Sequence, residues 1–259
     1  MRKILFLAGV AAVSAFPCLA QDAAPEIRKF DLPTIQKLGR DMYVQDQAAW
    51  HATDVLQALH PMAELQKEKV HGWIVEAEGQ LVRFLRDGDT GPEAAYDISY
   101  VSGKPVVSIP QDRHLTDAER AQYGAGLLAI KSITQRCGDN YNTVVMKDPQ
   151  GDGWLAWALA ATFNPNLIMM GGHLRLTVSA DGTTVIQRDA LSRSCAIISK
   201  SEGKDAKQVD SVLITQIVSD LPLETVVFKS LEHRIPIFIG TPDRSVWAVE
   251  GDKIRKLEK

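Results

Sequence analysis

The amino-acid sequence predicts an α+β fold in which antiparallel β meanders pack against two main α-helices. Two segments repeat apolar residues at helical spacing, and two longer regions alternate apolar and polar residues as strands do. Helical and strand segments do not alternate regularly along the chain, as a parallel sheet would require. With 259 residues, 45% of them hydrophobic, the chain can build a sizeable core. We therefore expect one continuous domain over residues 21–259.

Residues 1–20 are predicted to be a secretory signal peptide. Arg2 and Lys3 precede an uncharged apolar run over residues 4–16, and Cys18 and Ala20 are small residues at the positions that a signal peptidase reads. Cleavage after Ala20 is expected. The apolar run is too short to cross a bilayer, so the sequence predicts a periplasmic or secreted protein with no transmembrane anchor after cleavage.

Charge and cysteine content limit the partners and the redox compartment. Removing the leader with Arg2 and Lys3 changes the formal net charge from −3 to −5, which does not suit binding to nucleic acid. Lipidation of Cys18 is disfavoured, because Pro17 stands where lipoprotein signals carry a small residue. Cys137 and Cys195 then remain, and an even number of cysteines in an oxidising compartment predicts a disulfide between them.

Two segments have the features of helices. The first begins at Asp31, a suitable N-cap, with Pro33 in its first turn, and Pro61 ends it. The second begins with Thr116 and Glu119, spaced as in a capping box, and is predicted to run into Cys137.

The remaining regions are predicted to be mainly strands. Residues 71–110 have the pattern of a meander of about four short strands. Gly171 and Gly172 interrupt a later strand and indicate a bulge. Residues 225–231 could be either helix or strand, and the polar residues 200–209 are a possible sub-boundary or linker. Strands are predicted at 142–147, 154–162, 167–179, 183–189 and 211–219 and in a hairpin within 236–254.

The segment GGHLRLTVSADG contains the most notable polar pattern. His173, Arg175, Thr177 and Ser179 alternate with apolar residues, which predicts a strand with one wet face. A two-residue turn would place Arg175 opposite Arg188. A three-residue turn would place Arg175 opposite Gln187 and His173 opposite Asp189, and the sequence favours this second register because it avoids the charge repulsion.

Two classes of function remain open. The leading hypothesis is a non-catalytic envelope protein that binds another protein, a peptide or a cell-wall component through edge strands. The alternative is a secreted hydrolase that uses His173, Asp189 and Arg175 on a β-hairpin. No cofactor or metal site is predicted: Asp148 and Asp152 are spaced as in a calcium loop, but the acidic residue required at the twelfth position is Leu159.

Overall fold

A computed structural model describes residues 26–76, 79–200 and 209–258. The predicted signal peptide at residues 1–20, the predicted mature start at Gln21 and most of the proposed linker at 200–209 lie outside the described residues. Helix accounts for 27% and strand for 37% of the structure, and antiparallel sheets predominate, so the predicted α+β class is confirmed.

The described helices number four, two more than the main helices predicted. They are α1 Leu32–Leu59, α2 Met62–Lys67, α3 Asp117–Lys131 and α4 Glu224–His233. The described strands are β1 Val70–Glu76, β2 Leu81–Gly88, β3 Gly91–Val101, β4 Lys104–Ser108, β5 Asn140–Lys147, β6 Trp154–Ala161, β7 Leu167–Met169, β8 Leu174–Val178, β9 Val185–Ala190, β10 Ile197–Ser199, β11 Val212–Thr215, β12 Ile237–Gly240, β13 Val246–Glu250 and β14 Lys253–Leu257.

Helix α1 forms for the reasons visible in the sequence. The Asp31 carboxylate accepts a hydrogen bond from the Thr34 N–H at 3.0 Å, and Pro33 lies in the first turn. Gly39 allows α1 and α4 to pack closely, because a Cβ atom at Gly39 would lie 2.4 Å from the Cβ of Val227.

In α3 the predicted capping box of Thr116 and Glu119 is present, but the helix ends at Lys131, before Cys137.

Strands β1 to β4 form the predicted antiparallel meander. One face of this first sheet packs against the C-terminal half of α1, where Ala52 and Leu56 contact the cluster around Val82, Phe84 and Ile98. The other face packs against α3 and the segment before it, where Leu115 and Tyr123 contact Ile74 and Leu85, so two helices attach the meander to the rest of the molecule.

The second sheet has the order β5-β6-β8-β9 and is antiparallel throughout. Alanines of α3, including Ala121 and Ala125, pack on alanines of β6, including Ala156 and Ala158. Small side chains on both surfaces let the helix lie close to the sheet. The opposite face of the sheet packs with α1, α4 and the third sheet in one apolar cluster.

The third sheet has the order β11-β12-β13-β14, and its β11–β12 pair is parallel. This pair is parallel because residues 225–231 belong to α4, which carries the chain back across the sheet between β11 and β12. Thr225, Val226 and Val227 have β-branched side chains that favour strands, so the sequence does not decide between helix and strand for this segment. All three are buried in the helix, so packing decides its conformation.

The predicted disulfide is confirmed: Cys137 and Cys195 are bonded, with 5.2 Å between their Cα atoms. The glycine pair Gly171–Gly172 is not a bulge within one strand but a break between β7 and β8, which belong to different sheets. Gly172 has a φ of +82°, and a Cβ there would lie 2.3 Å from the Cβ of Cys137. The chain therefore changes sheets where it passes the disulfide.

Candidate functional site

The β8–β9 hairpin has a register that neither predicted turn describes fully. Val178 pairs with Val185 beside the turn, as the two-residue turn requires, but a bulge follows and Thr177 pairs with Gln187. Arg175 then lies opposite Asp189, so the predicted His173–Asp189 pairing is wrong. Ile186 is the additional residue of the bulge and lies two-thirds exposed.

The polar row of β8 is buried, so the predicted wet face is also wrong. His173 is 4% exposed, Arg175 0% and Thr177 8%, while Asp189 on β9 is 1% exposed. The extended segment 26–30 and the start of α4 pack over this face, as their hydrogen bonds to Arg175 and Asp189 show. The alternation of apolar and polar residues correctly assigned them to the two faces of the strand, but other parts of the protein cover both faces.

His173 binds main-chain groups through both ring nitrogens. The Ala160 N–H donates to Nδ1 at 3.0 Å, and Nε2 donates to the carbonyl oxygen of Met169 at 3.0 Å. Burial, aided by the nearby charge of Lys229, lowers the pKa of His173 to about 3. The imidazole is therefore neutral and already hydrogen-bonded, an arrangement that serves structure and leaves no nitrogen to accept a substrate proton.

Arg175 is the centre of a buried ionic network. Its guanidinium binds the Asp189 carboxylate at 2.8 Å and Glu224 Oε1 at 2.7 Å, and it also donates to the carbonyl oxygen of Arg28. Trp157 Nε1 donates to the same Glu224 oxygen at 2.9 Å. Burial alone would lower the pKa of Arg175, but the charges of Glu224 and Asp189 raise it, so the arginine stays charged.

In the loop considered as a calcium site, the Asp148 carboxylate binds other protein groups. Asp148 forms a bidentate ion pair with Arg28, with contacts of 2.5 and 2.9 Å, and its carboxylate accepts from the Gln150 N–H. Asp148 and Asp189 thus hold the segment 26–30 against the second sheet. Within 26–76, 79–200 and 209–258, no three His, Cys, Asp or Glu side chains gather into a group that could hold a metal ion.

A trough that the sequence did not reveal runs between β1 and β5, with α1 and α3 along its sides. We call it the β1–β5 trough. It contains two adjoining cavities that share Gln45, Val75, Gln122 and Val145 in their walls. The first, the apolar cavity, has a volume of about 370 Å³ and is lined by Trp73, Tyr123, Leu127, Ile130 and Thr143. The second, the polar cavity, has about 880 Å³ and is lined by Lys37, Asp41, Glu76, Lys147 and Trp154.

Gln122 lies where the two cavities meet. Its Nε2 donates to the carbonyl oxygen of Val75 on β1 at 3.0 Å and to that of Val145 on β5 at 3.2 Å. The side chain is buried, and its carboxamide connects the edges of two separate sheets. Its position in α3 could not be interpreted from sequence, because its partners are main-chain atoms of distant strands.

A different His–Asp pair lies at the rim of the apolar cavity. His71 Nε2 is 2.7 Å from Asp87 Oδ1, and His71 also lines the cavity. Tyr123 is close by, and burial together with the charge of Asp87 raises its pKa. His71 and Asp87 belong to the ends of the first predicted hairpin, but the register of β1 with β2 shifts between Val70 and Trp73, so a regular hairpin would not have predicted their contact.

Searches of family models, curated proteins and solved structures found no match to this chain. Every inference about its function therefore starts from its own geometry. Among the described residues, no helix is both long and apolar enough to cross a membrane.

Proposed function

We propose that this chain is an exported, non-catalytic binding protein and that the β1–β5 trough is its binding site. The observation that supports this most directly is the apolar cavity of about 370 Å³, which is within the size range of ligand sites in proteins. The alternative hydrolase site at His173, Asp189 and Arg175 does not fit this geometry, because those side chains are buried and hydrogen-bonded to other protein groups.

The cavity walls indicate what kind of group it accepts. Trp73, Leu127 and Ile130 supply apolar surface, while Gln122 and Thr143 place a few polar groups at its inner end. A mainly apolar site with a few fixed polar groups favours an apolar ligand group that carries hydrogen-bonding atoms. Leu127 is 40% exposed, so a ligand that covers it would also remove apolar surface from water.

Export rests on the predicted leader and is supported by the disulfide. A Cys137–Cys195 bond persists in oxidising compartments such as the periplasm or the exterior of the cell. Intact-mass measurement of protein from the envelope fraction tests this: the expected chain begins at Gln21. A chain that retains Met1 in the cytosol would contradict export.

Substitution of Leu127 tests the binding site. The neutral fluorescent probe N-phenyl-1-naphthylamine is expected to bind wild-type protein, and Leu127→Arg should weaken this binding at least tenfold by placing a charge in the cavity wall. Leu213→Arg is the matched control, since Leu213 is an exposed leucine of β11 outside the trough. Equal probe binding by both variants, or no binding by wild-type protein, would refute the proposed site.

The His71–Asp87 pair supports a second candidate function, a hydrolase with its general base at the cavity rim. A carboxylate that orients a histidine is one part of a hydrolytic site. Hydrolysis of p-nitrophenyl butyrate by wild-type protein, His71→Gln and His114→Gln distinguishes the two functions. The binding proposal predicts no turnover that depends on His71. A loss of about a hundredfold in His71→Gln alone, with folding intact, would make the hydrolase the leading function.

A further inference from the structure

The two walls of the β1–β5 trough are edges of β-sheets. β1 is the first strand of the sheet β1-β2-β3-β4, and β5 is the first strand of the sheet β5-β6-β8-β9. In the part of the chain that the structure describes, no further strand pairs with the outer side of either. An unpaired edge presents a row of main-chain donors and acceptors that an extended segment can match.

The register shows which main-chain groups face the trough. The carbonyl oxygen of Val145 points away from β6, because it accepts from Gln122. In an antiparallel pair, residues two apart direct their main-chain groups to the same side, so the N–H and C=O of Thr143 also face the trough. The same reasoning from Val75 places the main-chain groups of Trp73 on the opposite wall.

The Gln122 carboxamide indicates the chemistry that these edges accept. A carboxamide is the same functional group as a peptide bond, and here one N–H₂ group satisfies a carbonyl on each wall at ordinary hydrogen-bond distances. Gln122 therefore occupies the position that a main-chain amide of an added strand would take. A main-chain N–H of the added strand would take over the hydrogen bond to the Val145 carbonyl oxygen, and because a main-chain amide has only one N–H, the Val75 carbonyl oxygen would need a second donor.

Of the two edges, β5 is better suited to pair with a strand. Its eight residues keep a continuous register with β6, whereas the register of β1 with β2 is irregular between Val70 and Trp73. Gly72 has a φ of +66° within that irregular stretch, which departs from extended geometry. The two cavities also follow β5 from Tyr141 to Lys147, nearly its whole length.

Charge along the trough favours a peptide over a lone anion such as a fatty acid. The polar cavity carries both signs, with Lys147 on β5 and Glu76 on β1. Lys37 and Arg40, which also line it, are already paired with Asp41 and Asp252. The walls therefore suit a peptide segment that carries no net charge.

We propose that the β1–β5 trough binds an extended peptide segment as an added strand on the free edge of β5, with an apolar side chain of the peptide in the apolar cavity. Main-chain hydrogen bonds would supply affinity, and the cavity would supply preference for a large apolar side chain. This inference rests on the proposed function, since it names the class of partner for the same site.

The experiment uses the main-chain N–H of Thr143. Thr143→Pro removes this N–H, which faces the trough and is not part of the β5–β6 ladder, so the sheet can retain its hydrogen bonds. Thr215→Pro is the matched control: Thr215 is an exposed residue of the edge strand β11 outside the trough, and its N–H faces away from β12, because the N–H groups of Val212 and Gln216 donate to that neighbouring chain. The probes are capped pentapeptides acetyl-Thr-X-Thr-X-Thr-amide, with X as Leu, Phe, Tyr or Val, and the same peptides with alternate amides N-methylated.

Calorimetric titration should show binding of at least one unmethylated peptide to wild-type protein and to Thr215→Pro. Affinity should fall at least tenfold in Thr143→Pro and at least tenfold when the peptide is N-methylated on the amides that pair. Amide hydrogen exchange of wild-type protein should slow at Thr143 and Val145 when the peptide binds. The comparison of methylated with unmethylated peptides uses wild-type protein only, so it tests strand addition even if Thr143→Pro does not fold.

Equal affinity of methylated and unmethylated peptides, or unchanged exchange at β5, would overturn strand addition. Binding of N-phenyl-1-naphthylamine without binding of any peptide would also overturn it, while leaving the apolar site intact. Failure of that neutral probe to bind wild-type protein would instead refute the proposed function.

Discussion

At the scale of single residues, burial reverses the roles that the sequence suggested for the polar row of β8. The sequence predicts that His173 and Arg175 lie on a wet face, where polar side chains contribute little to stability. Both are buried, and each has its polar atoms satisfied by protein groups. Buried polar groups that are fully hydrogen-bonded are costly to alter, so these residues contribute to stability more than exposed ones would.

The titration of His173 provides a test at this scale. Its pKa falls from 6.5 in the unfolded chain to about 3 in the folded protein, so between these values the unfolded chain binds the extra proton. The free energy of unfolding should therefore decrease as pH falls from 6.5 towards 3, by up to about 1.4 kcal/mol per pH unit. This contribution is fully present above pH 6.5.

Urea unfolding between pH 4 and pH 7 measures the effect in wild-type protein and in His173→Gln. The variant should show a shallower dependence on pH over this window. His233, whose pKa burial lowers to about 4, contributes in the same direction and remains in the variant. His114→Gln, which removes an exposed imidazole, is the control. Parallel pH profiles for wild-type protein and His173→Gln would show that His173 is not buried as a neutral group.

At the scale of elements, contact between helices overrides local preference. α4 forms from residues with strand propensity because it is buried between α1 and the third sheet. Gly39 disfavours helix locally, but it lies inside the N-terminal third of α1, where its missing side chain lets α4 approach. The requirement for Gly39 therefore arises from the neighbouring helix.

Gly39→Ala tests this contact, because local propensity and packing predict opposite signs. Alanine would stabilise an isolated helix by about 1 kcal/mol, yet we expect the substitution to destabilise the protein by about 1–3 kcal/mol. The added methyl group would lie 2.4 Å from the Cβ of Val227 and would force α1 and α4 apart. Urea unfolding of Gly39→Ala and of Gln57→Ala, at an exposed position of α1, separates packing from propensity. A more stable Gly39→Ala protein would contradict the close helix contact.

At the scale of the whole molecule, contacts distant in sequence hold three larger sheets together. The segment 26–30 binds the second sheet through Arg28, and Gln122 connects the first sheet to the second. The Cys137–Cys195 disulfide ties the end of the α3 region to the loop before β10. Of these connections, Gln122 is the one that contacts both walls of the β1–β5 trough.

Removal of the disulfide tests its contribution to global stability. The bond closes a loop with a sequence separation of 58 residues, and the chain-entropy argument assigns such a closure roughly 4 kcal/mol. The double variant Cys137→Ser/Cys195→Ser should lose about this much, and reductant should lower the urea midpoint of wild-type protein but not that of the variant. An unchanged midpoint on reduction would show that the bond does not constrain the unfolded chain.

Local patterns were sufficient for several features of this protein. The spacing of apolar residues predicted α1 and the β1–β4 meander, and the pair Thr116 and Glu119 predicted the start of α3. The two cysteines outside the predicted leader predicted the disulfide. These features depend on interactions between residues close in sequence or, for the cysteines, on the number of candidate partners outside the predicted leader. Such signals are present before any tertiary contact forms.

Tertiary structure alone decided the rest. The bulge that places Arg175 opposite Asp189, the burial of His173, the helical state of α4 and the β1–β5 trough all depend on which distant segments meet. A period-two pattern separates the faces of a strand but does not say what covers each face. Gln122 is the clearest example: its partners are main-chain carbonyls, which every residue possesses, so no side-chain pattern could identify them.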